Sequence, residues 1–308
     1  MLWKISFLLC ADFTEGHSKT GVEILEKRAD ILRETCARDF HISPQKGRFK
    51  GHHDILVSFQ ATDFSPVNEG FYKDQNQLFR TRKAQPERGL RICVPWKCAS
   101  QYVKHIHGVV ISQSEEQRRL TGDKGEENLK SSTVLIARHP FVRLISSWND
   151  KFLRVNIQSA PMMKRSNIDR FVTYEHETHR ISFEDFVNYL VYAAENKEKI
   201  NHHFAPQHIM CPPCVSDFDK ILKVEHLKDE MVALFRNHDL HVPELEETYH
   251  EQTGGFGAAE KDKLITKVRA RLKTIPTETI WKLYKFYKKD FDILNYSFDM
   301  NMLKIGGF

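Results

Sequence analysis

The run Thr133-Val134-Leu135-Ile136-Ala137 stops abruptly at Arg138-His139-Pro140, and the chain continues FVRLISSWNDKF. Five residues without a charge, closed by a basic pair and a proline, read as a buried strand that turns directly into a helix starting near Pro140. A strand apolar on both faces needs cover on both sides, as strands of a parallel sheet do. Two further stretches repeat the pattern: GLRICVP at 89–95, closed by Pro95, and DKILKVEHL at 219–227, followed by a helix-like KDEMVALFRNHDL. Strands alternating with helices predict an α/β fold with a mostly parallel central sheet flanked by helices. In such sheets ligands bind beyond the carboxyl ends of the strands.

The remaining segments fit around that frame. Residues 21–37 space their apolar side chains as one helical stripe. Ser182 followed by FEDFVNYLVYAAE predicts a helix with a serine cap and acids in its first turn. A further helix is expected over 258–273, and a last one, TETIWKLYKFYKKDF, just after Pro276. Residues 38–88, 112–132 and 156–180 show little periodicity and read as loops. No internal repeat divides the chain, so residues 21–308 are read as one domain. Residues 1–20 contain a short apolar run broken by Lys4 and read as a leader or the remnant of an anchor. No apolar stretch approaches the roughly 20 residues of a membrane-spanning helix. A net charge of +5, from 46 Lys+Arg against 41 Asp+Glu, suits an anionic ligand without requiring one, and no nucleic-acid partner is expected.

Two strand ends carry the chemistry. The first corner is Pro95-Trp96-Lys97-Cys98-Ala99-Ser100-Gln101; the second runs from Arg138 to Ser146. A helix N-terminus offers unpaired N–H groups and partial positive charge, which favour phosphate or sulfate. Lys97 and Ser100 add a cation and a hydroxyl to the first corner, and Arg138 adds a planar fork of donors to the second. Read from residues alone, the two corners suit one molecule with two separated phosphate groups. The plainer alternative is a salt-bridged arginine with a pair of capping serines. The Walker pattern GxxxxGK[ST] is absent, which disfavours a nucleotide kinase.

The segment ARHPFVRLISSWNDKF resembles the 3′-phosphate-binding motif of Golgi carbohydrate sulfotransferases, R-x-P-F-x-R-L-x-S-x-(Y/W)-x-x-K-F. Arg138, Pro140, Phe141, Arg143, Leu144, Ser146, Trp148, Lys151 and Phe152 all fit. Other segments are similar to the family in the same order: RADILRETC, HFAPQHIMCPPC, FDKILKVEHLKDE and LYKFYKKDFDILNYS. The resemblance spans roughly residues 20–300 and is nearest the chondroitin and dermatan 4-O- and HNK-1-type sulfotransferases. It implies a P-loop-like sulfotransferase fold. It also implies transfer of a sulfuryl group from 3′-phosphoadenosine 5′-phosphosulfate (PAPS) to a hydroxyl of a glycan or proteoglycan, without a metal. The expected location is the Golgi membrane with a lumenal catalytic domain, or secretion if the anchor is truly missing, since none is visible in this chain. By the same resemblance, residues 95–101 hold the 5′-phosphosulfate, and Arg138 with Ser146 holds the 3′-phosphate.

The chain departs from the family at the first corner. Where the family has V-P-K-x-x-C-(T/S)-N-W, this sequence has Val94-Pro95-Trp96-Lys97-Cys98-Ala99-Ser100-Gln101-Tyr102. Trp96 takes the lysine's place and Lys97 comes one residue late. Lys97 is nevertheless expected to carry the leaving-group charge. A catalytically inactive relative that binds glycan or cofactor is the competing reading. For the base, His203 is the first choice because its ordinary pKa suits the task; His105, His107 and Glu225 are the alternatives.

Six cysteines are present, among them the pair Cys211 and Cys214. Without a second CxxC a four-cysteine zinc site is disfavoured, and in an oxidising lumen both are expected in disulfides whose partners the sequence leaves open. Asn295-Tyr296-Ser297 is a glycosylation sequon. The basic stretch 79–91 suits either an acidic glycan or a solvated face.

Overall fold

The computed structural model describes residues 21–41, 78–80, 90–100, 102–103, 132–153, 181–198, 200–238 and 258–308. Helix α1 is Gly21–Phe40. Four strands follow in chain order: β1 Leu78–Arg80, β2 Leu90–Cys93, β3 Ser132–Ala137 and β4 Lys220–Lys223. Helix α2, Pro140–Trp148, follows β3 and runs into a wider π turn, Asn149–Leu153. Helices α3 Phe183–Glu195 and α4 Gln207–Met210 precede β4. After β4 come α5 Leu227–Asn237, α6 Ala258–Leu272 and α7 Thr277–Ile293. The chain ends in a hairpin of β5 Ser297–Asp299 and β6 Lys304–Gly306.

The main sheet has the order β1-β2-β3-β4. β2–β3 and β3–β4 are parallel, and β1 joins the edge antiparallel. The parallel sheet expected from the sequence is present. β3 is buried along its whole length. Its alternate residues enter two different cores, as the period of two in a strand requires. Val134 and Ile136 pack with Ile92, Leu222, Leu227 and Leu234 on one face. Leu135 and Ala137 pack with Phe141, Phe186, Leu190 and Phe291 on the other. Helix α5 thus covers one face and α2, α3 and α7 the other, while α1 reaches both cores, through Leu25 on the first and Ala29, Leu32 and Cys36 on the second.

Local signals explain the helix starts. Ser182 caps α3, accepting from the Asp185 backbone N–H at 3.0 Å. His139 caps α2: its Nδ1 accepts from the Phe141 N–H at 3.3 Å, and Pro140 occupies the first helical position, where its missing N–H costs nothing. Pro276 sits at the cap position of α7, one residue outside the helix.

Covalent and ionic ties close the domain. Cys36 of α1 is bonded to Cys214, and Cys93 at the end of β2 to Cys211. Both cysteines of the Cys-Pro-Pro-Cys segment are therefore oxidised, each to a distant partner. Arg33 reaches from α1 to the Asp217 carboxylate at 2.7 Å and to the Phe218 carbonyl at 2.8 Å. Arg28 pairs with Glu230 of α5 at 2.8 Å. Buried Lys223 donates to the Asn295 carbonyl at 3.0 Å and to the Gly307 carbonyl, so the C-terminal hairpin is fastened to the end of β4. No helix among the described residues is long and apolar enough to cross a membrane.

Candidate active site

The loop after β2 is built as a tight turn. The Cys98 N–H donates to the Pro95 carbonyl at 3.0 Å, with Lys97 at φ +69° as the third residue of that turn. This position ordinarily takes glycine or asparagine, because a side chain there crowds the backbone. Ala99 follows at φ +60°. Two left-handed residues other than glycine within three positions persist only where surrounding contacts hold them, and such contacts concentrate at functional sites.

Those contacts come from the second corner and from the turn Asn201–Phe204. Arg138 donates from Nη1 to the Lys97 carbonyl at 2.9 Å. Arg143, one turn into α2 and fully buried, donates from Nε to the Trp96 carbonyl at 2.8 Å and from Nη2 to the His202 carbonyl at 3.2 Å. Ser147 Oγ lies 2.9 Å from the Arg143 carbonyl and 2.8 Å from the His203 carbonyl. The Trp96 ring lies against His202 and His203, with centroids 4.7 and 4.8 Å away. The Lys97 ammonium is ion-paired to Asp150 in the π turn, and Lys151 meets the same carboxylate at 3.0 Å.

Three chain segments thus bring Lys97, Arg138, Arg143, Lys151, His202 and His203 to one corner, where Lys97 and Lys151 share the Asp150 carboxylate. Two guanidinium donors at this corner, Arg138 Nε and Arg143 Nη1, are buried and have no protein partner. A buried donor left unpaired costs about 1–3 kcal/mol, more when charged, and an anionic partner at either would recover that cost. The residues fit a ligand with more than one negative charge.

The electrostatics point the same way. Burial pushes the Lys97 ammonium down, Asp150 partly offsets this, and the nearby charges of Lys151 and Arg138 push it further down. His203 is pushed down to about 2 by burial, then by His202, Lys151, Lys97 and Arg143. His202 falls to about 4, again through burial first. Both imidazoles are therefore neutral at ordinary pH, and His203 does not keep the ordinary pKa for which the sequence favoured it as base. His203 Nδ1 lies 2.8 Å from Asn201 Oδ1, which also accepts the His203 backbone N–H at 3.0 Å. An oxygen that accepts both requires the Nδ1–H tautomer, which leaves Nε2 with its lone pair.

The other expected residues are placed as follows. Ser100 is buried at the start of the helix after the turn, and the Val103 N–H bonds back to the Ala99 carbonyl at 3.0 Å. Pro95 and Cys98 are buried, and the Cys98 thiol lies 3.1 Å from Gln207 Oε1. Burial raises that thiol to about 12, so it is inert. Ser146 is half-buried on α2. Gln101, His105, His107 and most of the basic stretch 79–91 lie outside the described residues.

Glu225 is not free to act as a base. It is buried, accepting from the His139 N–H at 2.8 Å and from the Tyr296 hydroxyl at 3.0 Å. It holds the start of α2 to the C-terminal hairpin, because its strand ends where those two donors meet.

Three side chains that support the corner carry no signal in the sequence. Gln207 Oε1 accepts the Arg138 N–H at 2.9 Å while its Nε2 donates to the Arg138 carbonyl at 2.6 Å, extending β3 by one side-chain rung. Buried Asp290 accepts the Gln207 and His208 N–H groups at 2.7 and 2.9 Å, so it caps α4 and fixes Gln207. Asp150 is the third. A cavity of about 1170 Å³ adjoins α4 on the side of α7. Four lysines of α7 border it, with Glu195 and Asp292 between them, and it includes none of Lys97, Arg138 and His203.

The parallel sheet, with cationic side chains gathered where β2 and β3 end, defines an α/β protein whose strand-end corner fits an anion. Residues 82–297 match the model of the sulfotransferase family, and the chain belongs to that family. It is 23% identical over 292 residues to carbohydrate sulfotransferase 8 of Mus musculus, covering 88% of this chain and 63% of the relative. To the Homo sapiens protein of that name it is 25% identical, with 88% and 62% covered. Over 193 residues it is 26% identical to carbohydrate sulfotransferase 12 of Mus musculus, covering 57% and 42%. The chain spans less than two thirds of the length of these relatives. No solved structure matches it.

Proposed function

We propose that this chain transfers a sulfuryl group from PAPS to a hydroxyl of a glycan. The observation that carries the reading is the pair of unpartnered buried guanidinium donors at a corner with four cations and one carboxylate. Arg138, with Ser146, would hold the 3′-phosphate, and the turn Pro95–Ser100 the 5′-phosphosulfate. The donor supplies an activated sulfuryl group on a phosphate leaving group.

The chain's own residues supply the rest. The Lys97 ammonium faces the charge that gathers on the oxygen between phosphorus and sulfur as its bond to sulfur breaks; one well-placed donor of this kind is worth about 10²–10³ in rate. His203 Nε2 takes the proton of the attacking hydroxyl as the new O–S bond forms, and Asn201 keeps that nitrogen free. Burial and four nearby cationic or imidazole groups depress His203, and a polyanionic donor among them offsets the cationic part. Trp96, tilted against both histidines, packs the wall of the corner beside them.

The acceptor class is taken to be a chondroitin- or dermatan-like chain or an N-glycan. The two disulfides and the exposed sequon residue Asn295 suit an oxidising secretory lumen such as the Golgi. A second reading, a relative that binds donor or glycan without turnover, draws on Trp96 standing where the family has lysine.

Calorimetry with 3′,5′-ADP tests the donor assignment. Wild type is expected to bind. Arg138→Ala is expected to lose binding while its thermal unfolding stays cooperative, and Ser146→Ala should weaken binding less. Equal affinity in Arg138→Ala and wild type would remove the 3′-phosphate assignment.

A further inference from the structure

The Lys97 ammonium ends at Asp150, and that contact has a function of its own. A lysine stem has four rotatable bonds, and its charge is a point without a fixed direction. Lys97 leaves the backbone at a left-handed position, φ +69°. Its ammonium needs a partner to be held anywhere in particular. Asp150 is the carboxylate that holds it, and the same Oδ2 also takes Lys151.

The π turn is what makes this pairing available. Asn149–Leu153 winds wider than the helix before it, which re-aims the residues it contains. Asp150 and Lys151 then both face the turn at Lys97, 53 residues earlier in the chain. Phe152, next in line, packs into the core against Phe186 and Phe204 and locks the turn in place.

A carboxylate at an anion site has a second effect. Its oxygen lies where two ammonium groups converge, the same geometry that would receive an anionic oxygen of a ligand. Any phosphate or sulfate arriving there meets a like charge. Ordering Lys97 therefore opposes binding of the anion that Lys97 serves.

We propose that Asp150 is a positioning residue that holds Lys97 for sulfuryl transfer at the expense of donor affinity. The catalytic half rests on the function proposed above. The two effects have opposite signs in Asp150→Asn. The amide keeps the side chain's size and removes its charge. Turnover should fall about 10- to 100-fold, because the ammonium is no longer held in place. Affinity for 3′,5′-ADP should rise about three- to tenfold, because a nearby like charge is gone. A residue that merely supports the end of α2 would lower both together or neither. Asp150→Glu should restore part of the turnover.

The experiment measures turnover, 3′,5′-ADP affinity by calorimetry and the rate of Lys97 methylation by formaldehyde and borohydride, read by peptide mass spectrometry. Loss of the carboxylate favours the free amine, so Lys97 in Asp150→Asn should methylate several-fold faster than in wild type. That third readout does not depend on activity. Equal methylation rates in the two proteins would overturn the pairing itself. Faster methylation with turnover and affinity both unchanged would overturn the positioning role. Faster methylation in Asp150→Asn, alongside a wild type that never transfers sulfate, would overturn the functional reading, and the catalytic half of this proposal with it.

Discussion

Gln207→Met isolates how the second corner is held. Gln207 is 1% exposed, and its amide meets the Arg138 N–H at 2.9 Å, the Arg138 carbonyl at 2.6 Å and the Cys98 thiol at 3.1 Å. Methionine has nearly the same length and no branch, so the substitution opens no large cavity. It does leave one backbone donor and one backbone acceptor without partners. At about 1–3 kcal/mol each, the expected loss of stability is about 2–6 kcal/mol. The loss of orientation at Arg138 should also show in binding. If one charge-assisted bond to the ligand is lost, worth about 1.5–3 kcal/mol, the affinity for 3′,5′-ADP falls about 10- to 100-fold. Urea unfolding gives the first number and calorimetry the second. Gln207→Glu should be intermediate in stability, since a carboxylate still accepts from the Arg138 N–H but faces the carbonyl without a donor. A Gln207→Met protein within 0.5 kcal/mol of wild type in stability and with unchanged affinity would refute the view that this amide sets Arg138.

Lys97→Ala should lose nearly all turnover while keeping most of its affinity for 3′,5′-ADP; activity equal to wild type would remove Lys97 from the chemistry. Non-reducing peptide mapping should find Cys36 linked to Cys214 and Cys93 to Cys211, and a Cys211–Cys214 peptide would contradict the fold. Cys36→Ser should cost about 2–5 kcal/mol, since that bond closes a loop of 178 residues in the unfolded chain. Stability should also fall on acidification below about pH 6.5. The unfolded histidines take up protons there, while native His139 holds off to about 3, and His202 to about 4, because burial disfavours the charge. The unfolded state then binds more protons, so each such histidine removes about 1.4 kcal/mol per pH unit. Urea midpoints at pH 7, 6 and 5 would show it, and His139→Asn should flatten the trend.

Periodicity and caps made the frame readable. Thr133–Ala137 could only be a strand buried on both sides, Pro140 could only open a helix, and Ser182 with Asp185 marks a capped start. The corner at Arg138 was legible for the same reason, because a strand end is a place that short-range sequence can specify. What could not be read depends on pairs far apart in the chain. Cys36 finds Cys214 rather than Cys211 because α1 packs along β4, which no spacing reveals. Glu225 looked like a base candidate because it ends a strand, but the hairpin that buries it is 71 residues away. Lys97 looked displaced by one residue. The left-handed turn and the π turn that jointly decide where its ammonium goes leave no mark in composition or periodicity. Gln207 sits in a segment similar to the family's, but its role appears only once Arg138 lies beside it.

A corner that moves a sulfuryl group, rather than only binding an anion, must pass sulfate from donor to acceptor. The direct measurement is transfer of ³⁵S-sulfate from labelled PAPS to a panel of desulfated chondroitin, desulfated dermatan and N-glycan acceptors. The panel should include a matched Lys97→Ala control. Label is expected on at least one acceptor with wild type and nearly none with Lys97→Ala. A wild-type protein that binds 3′,5′-ADP with Arg138 in place, yet labels no acceptor, would contradict it and leave the chain as a binding relative of the transferases.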